Sequence, residues 1–367
     1  MLSGVRIVEV EGLGPGPFAA MLLADLGADV IVVHRKGGKG LGEQPIIDRG
    51  KRSIALDLKD AEDITIFKRL IARADGLIEG FRPGVMERLG IGPIDCHALN
   101  SALTYGRMTG WGQTGPLGRA AGHDLNYIAL SGALWYASEP GQPPLTPPTL
   151  VGDIGGGAMY LAVGMLAGIL NARATGQGSV VDAAIYDGSA HMMNLILTMR
   201  QMGQFENTRG ASLLDGPHWC RTYRTSDGGF MAVQCLEPKF YSEFLTLLGL
   251  AEDADFAQQN QPALWPLLTD RLTGIFISRT RADWSDIFLG TDACVAPVLN
   301  PDEAQAHPQN LVRNTWIRPD GVLQAAPAPR FNGQTPTRPS PSPMRDQHRQ
   351  EILNDLNKTR EESPSRA

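Results

Sequence analysis

Val5-Arg6-Ile7-Val8-Glu9-Val10, then Gly12-Leu13-Gly14-Pro15-Gly16-Pro17, then Phe18 to Leu26, Gly27 and Ala28-Asp29-Val30-Ile31-Val32-Val33 make up the stretch on which the fold turns. The first run is β-branched and apolar, as a strand requires, and the glycine-proline segment ends it. The apolar stretch that follows reads as a helix closed by Gly27, with a second strand immediately after. So short a β-α-β connection favours a parallel pair with a right-handed crossover. Working outward, Gly50 to Leu58 is a further strand, Asp60 to Ala72 a helix, and Asp75 to Gly80 the next crossover strand. The expected class is α/β.

Farther on, Met159 to Leu170 and Ala183 to Met202 are helical by length and periodicity. Gly228 to Cys235 reads as a strand opening a smaller α+β unit, with helices near Lys239 to Leu248 and Pro262 to Ile277. Ala296-Pro297-Val298 marks the way out of it. Beyond residue 324 proline, arginine, serine and threonine dominate, which predicts an extended tail with a short last helix near Gln347 to Leu356.

A chain of 367 residues is too long for one small core, so two domains are expected. A hydrophobic fraction of 43% with 20% charged residues describes a globular protein. The net charge of -6 gives no reason to expect nucleic-acid or membrane-surface binding, so an anionic ligand must be met by local basic clusters. Cys96, Cys220, Cys235 and Cys294 are far apart and form no C-x-x-C pair. Without a signal peptide they read as reduced thiols in a cytoplasmic protein. No apolar run free of glycine and polar interruption is long enough to span a bilayer.

Two short stretches carry the chemistry: Gly122-His123-Asp124 and Gly152-Asp153-Ile154-Gly155-Gly156-Gly157. An imidazole titrates near neutrality, so His123 is a candidate to accept and return a proton. Asp153 precedes a long apolar helix. It reads either as a plain N-cap or as a base whose pKa burial has raised. The first N–H groups of that helix are expected to be open to an anion or an oxyanion. Glu237, at a strand-to-helix turn, is a surface capping acid or a partner that orients His123; spacing alone does not decide.

Gly12-x-Gly14 invites a dinucleotide-binding reading. Pro15 and Pro17 interrupt that fingerprint, and His34-Arg35-Lys36 stands where an acid for the ribose belongs. Arg35, Lys51, Arg52, Arg82 and Arg107 each flank a predicted strand end, where open α/β sheets bind ligands. Together they would suit a polyphosphate; singly, each is equally a solvated surface charge.

The chain resembles the family III CoA-transferase (CaiB/BaiF) superfamily and, within it, the alpha-methylacyl-CoA racemases. The matching stretches include Ala24-Asp25-Leu26-Gly27-Ala28-Asp29-Val30, Glu79-Gly80-Phe81-Arg82-Pro83-Gly84-Val85 and Gly122-His123-Asp124-Leu125-Asn126-Tyr127. Gly152-Asp153, Glu237-Pro238-Lys239-Phe240-Tyr241 and Asp292-Ala293-Cys294-Val295-Ala296-Pro297-Val298 extend the match. The resemblance implies a large Rossmann-like domain built from both chain ends (1–185 and 299–367), linker helices (186–225) and a small α+β domain (226–298). It further implies an interlocked homodimer whose active site is shared between subunits.

In the superfamily the aspartate matching Asp153 is kept by transferases, as a nucleophile, and by racemases. Racemases add the histidine at His123 and the acid at Glu237, and this chain has both. The resemblance therefore implies epimerisation of 2-methylacyl-CoA thioesters, with His123 (paired to Glu237) and Asp153 serving opposite faces of the α-carbon. The alternative is an acyl-CoA:carboxylate CoA-transferase. CoA arrives as part of the substrate, with no metal and no separate cofactor. Its contacts are expected from Arg35, Lys51, Arg52, Arg82, Arg107 and Gly122.

Overall fold

A computed structural model describes residues 1–334 and 337–358. The chain divides into two units. One comprises Met1–Leu134, Thr146–Met193 and the chain from Val312 onward; the other comprises Trp135–Leu145 and Asn194–Leu311.

The first unit runs β1 (Arg6–Val10), α1 (Pro15–Asp25), β2 (Asp29–Arg35), β3 (Arg52–Leu56), α2 (Ala61–Ile71) and β4 (Gly76–Glu79). The short helices α3 (Val85–Arg88) and α4 (Pro93–Leu99) lead to β5 (Thr104–Thr109) and α5 (Asp124–Ser131). Then come α6 (Met159–Thr175), β6 (Ser179–Ala184) and α7 (Ile185–Met192). Its six strands form one parallel sheet in the order β3-β2-β1-β4-β5-β6. The order reverses between β1 and β4, so a crevice opens outside their carboxyl ends.

Side chains alternate across the sheet with the strand period of two. Val8, Val10, Ile31 and Val33 face Phe67 and Leu70 of α2, with Ile352 and Leu356 of the last helix, Arg349–Asn357. Ile7, Val30 and Ile78 face Ala19 and Leu23 of α1 and Leu161 and Met165 of α6. Both faces are covered, which is why these strands read as nearly continuous apolar runs.

Three expectations are corrected. Pro15 and Pro17 do not form a turn before the helix: they begin α1, where the missing N–H of Pro15 costs nothing. Ala183 to Met202 is not one helix. Ala183 and Ala184 end β6, which pairs with β5 from Thr104↔Ser179 to Thr109↔Ala184, and helix resumes as α7 and then α8 (Asn194–Gln201). Alanine suits either state, and the free edge of β5 decides. Finally, the helix expected over Met159 to Leu170 is longer: Leu150–Thr175 is one continuous helical stretch, long and apolar enough by length and composition to cross a membrane, though interrupted by Asp153 and by glycines. Leu161, Ala162, Met165 and Ile169 of this stretch are packed into the core of the first unit. Its opening turns, Leu150–Ala158, are the wide turns of a π-helix.

The second unit has an antiparallel sheet of β7 (Cys220–Arg224), β8 (Phe230–Gln234) and β9 (Val295–Pro297), in that order. Helices α9 (Pro238–Leu248), α10 (Trp265–Phe276) and α11 (Arg281–Phe288) share a core of Trp219, Phe244, Phe276 and Trp284. Ala296-Pro297, expected as the exit, belongs to the third strand of this sheet.

Ion pairs lie inside the first unit. Lys51 has a side chain 0% exposed, with Nζ 2.6 Å from Glu9 Oε2 and 3.1 Å from Asp48 Oδ1. Burial pushes the Glu9 carboxyl up to about 7 in spite of the Lys51 ammonium. Lys51→Met would strand both carboxylates without a cation. Urea unfolding should show a loss of about 3–5 kcal/mol, against no more than about 1 kcal/mol for neutralising an exposed surface pair.

Candidate active site

Gly14 ends the loop after β1 with φ 68°, a conformation that glycine adopts without strain. A Cβ placed there would stand 3.6 Å from Asp153 Oδ2, so the Asp153 carboxylate lies against this loop, at the carboxyl end of β1 where the strand order reverses. Asp153 is half-buried within the wide turns of 150–158. It is not the N-cap of the helix; that place belongs to Thr149.

The neighbour of His123 holds this segment. Asp124 is buried, and its Oδ1 accepts the backbone N–H of both Gly152 and Asp153, each at 2.9 Å. The Ile154 N–H goes to the Thr149 carbonyl at 3.1 Å. Near the start of the Asp153 helix, where an oxyanion was expected, the N–H groups of Gly152, Asp153 and Ile154 are therefore already occupied. Residue 152 must be glycine, since a Cβ there would lie 2.5 Å from Asp124 Oδ1.

His123 takes the N-cap position of α5, exposed, with its backbone N–H donating to Asn126 Oδ1 at 3.0 Å. Among the described residues, the N–H groups of Asp124 and Leu125 in the first turn of α5 have no partner. Burial raises the Asp153 carboxyl above the ordinary aspartate value. The Thr149 hydrogen bond opposes that rise, Asp124 adds to it, and the nearby imidazole of His123 opposes it. The structure thus brings His123 and Asp153 to one place.

Tyr127 donates its hydroxyl to the Gly122 carbonyl and meets Trp111 edge to face at 4.8 Å. Gly122 is wedged there: a Cβ would lie 2.8 Å from the Tyr127 ring and 3.1 Å from Trp111 Nε1. Burial pushes the Tyr127 hydroxyl up, Asp153 adds to this and Arg82 opposes it, so the Arg82 charge also reaches this corner.

The basic residues separate into two groups. Arg35 and Arg82 are exposed at the carboxyl ends of β2 and β4, and their side chains pair with no carboxylate among the described residues. The other three are engaged by carboxylates within the fold. Lys51 is sealed between Glu9 and Asp48. Arg52, at the amino end of β3, binds Asp29 at 2.7 Å, Asp355 at 2.9 Å and Glu351 at 3.0 Å. Arg107 bonds Glu79 at 3.1 Å and Glu87 at 2.8 Å. Glu237 stands in the second unit at the N-cap of α9, exposed, its carboxylate without a hydrogen-bond or ion-pair partner among the described residues. Sequence reasoning missed the Asp124 carboxylate and Thr149. An acid beside the histidine was a visible signal for the first; nothing local marked the second.

A model of CoA-transferase family III matches residues 2–349. The alpha-methylacyl-CoA racemase of Mus musculus is 40% identical over 366 residues, which is 99% of this chain and 95% of that protein. That of Homo sapiens is 40% identical over 365 residues, 98% of this chain and 94% of that protein. Succinyl-CoA–D-citramalate CoA-transferase of Chloroflexus aurantiacus is 29% identical across 89% of this chain and 90% of its own. A crystal structure of a CaiB/BaiF family protein from Brucella suis superposes with a TM-score of 0.80 at 27% identity, covering 97% of this chain and 99% of that one. With its parallel sheet in the doubly wound order and a family match through nearly its whole length, the chain belongs to CoA-transferase family III.

Proposed function

We propose that the protein is a racemase that interconverts the (2R) and (2S) epimers of 2-methylacyl-CoA thioesters. The observation that carries this reading is the juxtaposition of an exposed imidazole and a half-buried, basicity-enhanced carboxylate at the sheet's switch point. The 40% identity to two racemases supports the substrate class.

A thioester acidifies its α-hydrogen. In one direction the Asp153 carboxylate takes that proton, the C–H pair passes into the enolate, and the His123 imidazolium returns a proton to the opposite face. The reverse direction exchanges the roles. The enolate oxygen belongs at the unpartnered N–H groups of Asp124 and Leu125, beside His123, where the α5 dipole is positive. Arg35 and Arg82 are the cations available to the CoA phosphates. The transfer uses neither metal nor redox cofactor, and CoA enters within the substrate. A cytoplasmic homodimer completes the reading, with Glu237 of one subunit orienting and charge-balancing the partner subunit's His123.

Incubation with a single-epimer 2-methylacyl-CoA in D2O, followed by mass spectrometry and NMR, should show α-deuterium uptake together with epimerisation. His123→Ala and Asp153→Asn should each slow this by about 10²–10⁴-fold. No uptake, but CoA passing to an added free acid, would overturn the reading in favour of a transferase with Asp153 as nucleophile.

The raised Asp153 carboxyl sets a pH dependence. As base it must be ionised, so kcat/KM for the epimer it deprotonates should fall on acidification through a midpoint above the ordinary aspartate value of 3.8. Asp124→Ala would leave the Gly152 and Asp153 N–H groups unpaired and release the segment between the two bases. Chemical denaturation should register about 2–4 kcal/mol lost, and kcat should fall with little change in KM.

A further inference from the structure

Thr149 has φ 66° and ψ -15°, the left-handed conformation that a β-branched residue rarely adopts. A threonine at an N-cap ordinarily uses its hydroxyl to accept an N–H of the first helical turn. Here that use is pre-empted. The Gly152 and Asp153 N–H groups are held by Asp124, and the Thr149 side chain makes no cap hydrogen bond. Its Oγ1 instead donates to Asp153 Oδ2 at 2.9 Å. The strained residue is spent on a carboxylate rather than on the helix.

We propose that Thr149 is a positioning residue for proton transfer: its hydroxyl pins Asp153 Oδ2, leaving Oδ1 as the atom that takes the substrate proton. The inference rests on the reading of Asp153 as a base. The groups acting on this carboxyl are Asp124, adjoining it from α5, His123 at the head of the same helix, and Thr149 itself. Tyr127, one turn along α5, has its hydroxyl pushed up by burial and by Asp153, against the charge of Arg82. The loop that ends at Gly14 carries one charged residue, Glu11, which is paired with Arg345. Of the groups that shift the carboxyl, Thr149 and His123 favour the charged form, while burial and Asp124 oppose it. Removing the hydroxyl therefore moves the Asp153 midpoint further up.

Glycine at 149 accepts the positive φ without strain and lacks the hydroxyl, so Thr149→Gly separates backbone from hydrogen bond; Thr149→Ser keeps the donor. In the full-length protein, Thr149→Gly should fold normally, lose about ten- to hundredfold in kcat with KM little changed, and shift the acid limb of the pH profile upward. Thr149→Ser should restore the wild-type limb. Carbon-13 carboxyl NMR, with Asp153 assigned through Asp153→Asn, should show its titration midpoint higher in Thr149→Gly than in wild type or Thr149→Ser. A folded Thr149→Gly protein with unchanged acid limb and unchanged Asp153 midpoint would overturn the proposal. Absence of α-proton exchange in the wild-type protein would instead overturn the functional reading, while the NMR midpoint would still report whether Thr149 holds the carboxylate.

Discussion

One carboxylate oxygen fixes the geometry on which the site depends. Asp124 Oδ1 accepts two backbone N–H groups from the segment that carries Asp153, while Asp124 itself follows His123 in the chain. Two separate loops are thereby tied at a buried point, and the two titratable side chains inherit that tie. A charged acceptor shared by two donors is stronger and more directional than a neutral bond, and burial removes the water that would compete for it. The wide helical turns at Leu150–Ala158 and the glycine at 152 follow from this contact, since the backbone must come close enough to reach the carboxylate.

The same economy explains the charges around the sheet. Glu9 and Glu79 lie on central strands, where burial pushes each carboxyl up to about 7. Lys51 and Arg107 stand beside them as the cations that limit that rise. A parallel sheet covered on both faces offers no water to an ionised side chain, so acids on its strands must find bases within the fold. What reads along the chain as one basic cluster is therefore divided in space: Lys51, Arg52 and Arg107 are paired within the protein, and Arg35 and Arg82 are exposed with no carboxylate partner among the described residues.

Much of the architecture was legible. The β-branched runs of Val5 to Val10 and Ala28 to Val33, separated by an apolar helix, favour a parallel pair, and the observed strands begin and end within two residues of those bounds. The sixth strand was not legible. Ser179–Ala184 contains small and apolar residues suited to helix or strand, and its state was settled by pairing with β5, distant in sequence. At the site, His123 and Asp153 stood out by residue type and glycine neighbours. The clamp at Asp124 and the hydroxyl of Thr149 did not, because each acts through a hydrogen bond whose direction depends on backbone placement.

The sequence by itself determined the class of fold, the family and the residue types available for chemistry, because periodicity, turn residues and side-chain acidity are local properties. Tertiary structure alone decided which N–H groups remain open, which cations are free and which carboxylates are buried. The helix expected to present an oxyanion site has the N–H groups of Gly152 and Asp153 taken by Asp124, while those of Asp124 and Leu125 at the start of α5 have no partner among the described residues. The physical reason is that hydrogen bonding and desolvation are settled by neighbours in space. A donor or a charge has no fixed role until the chain has brought its partner to it.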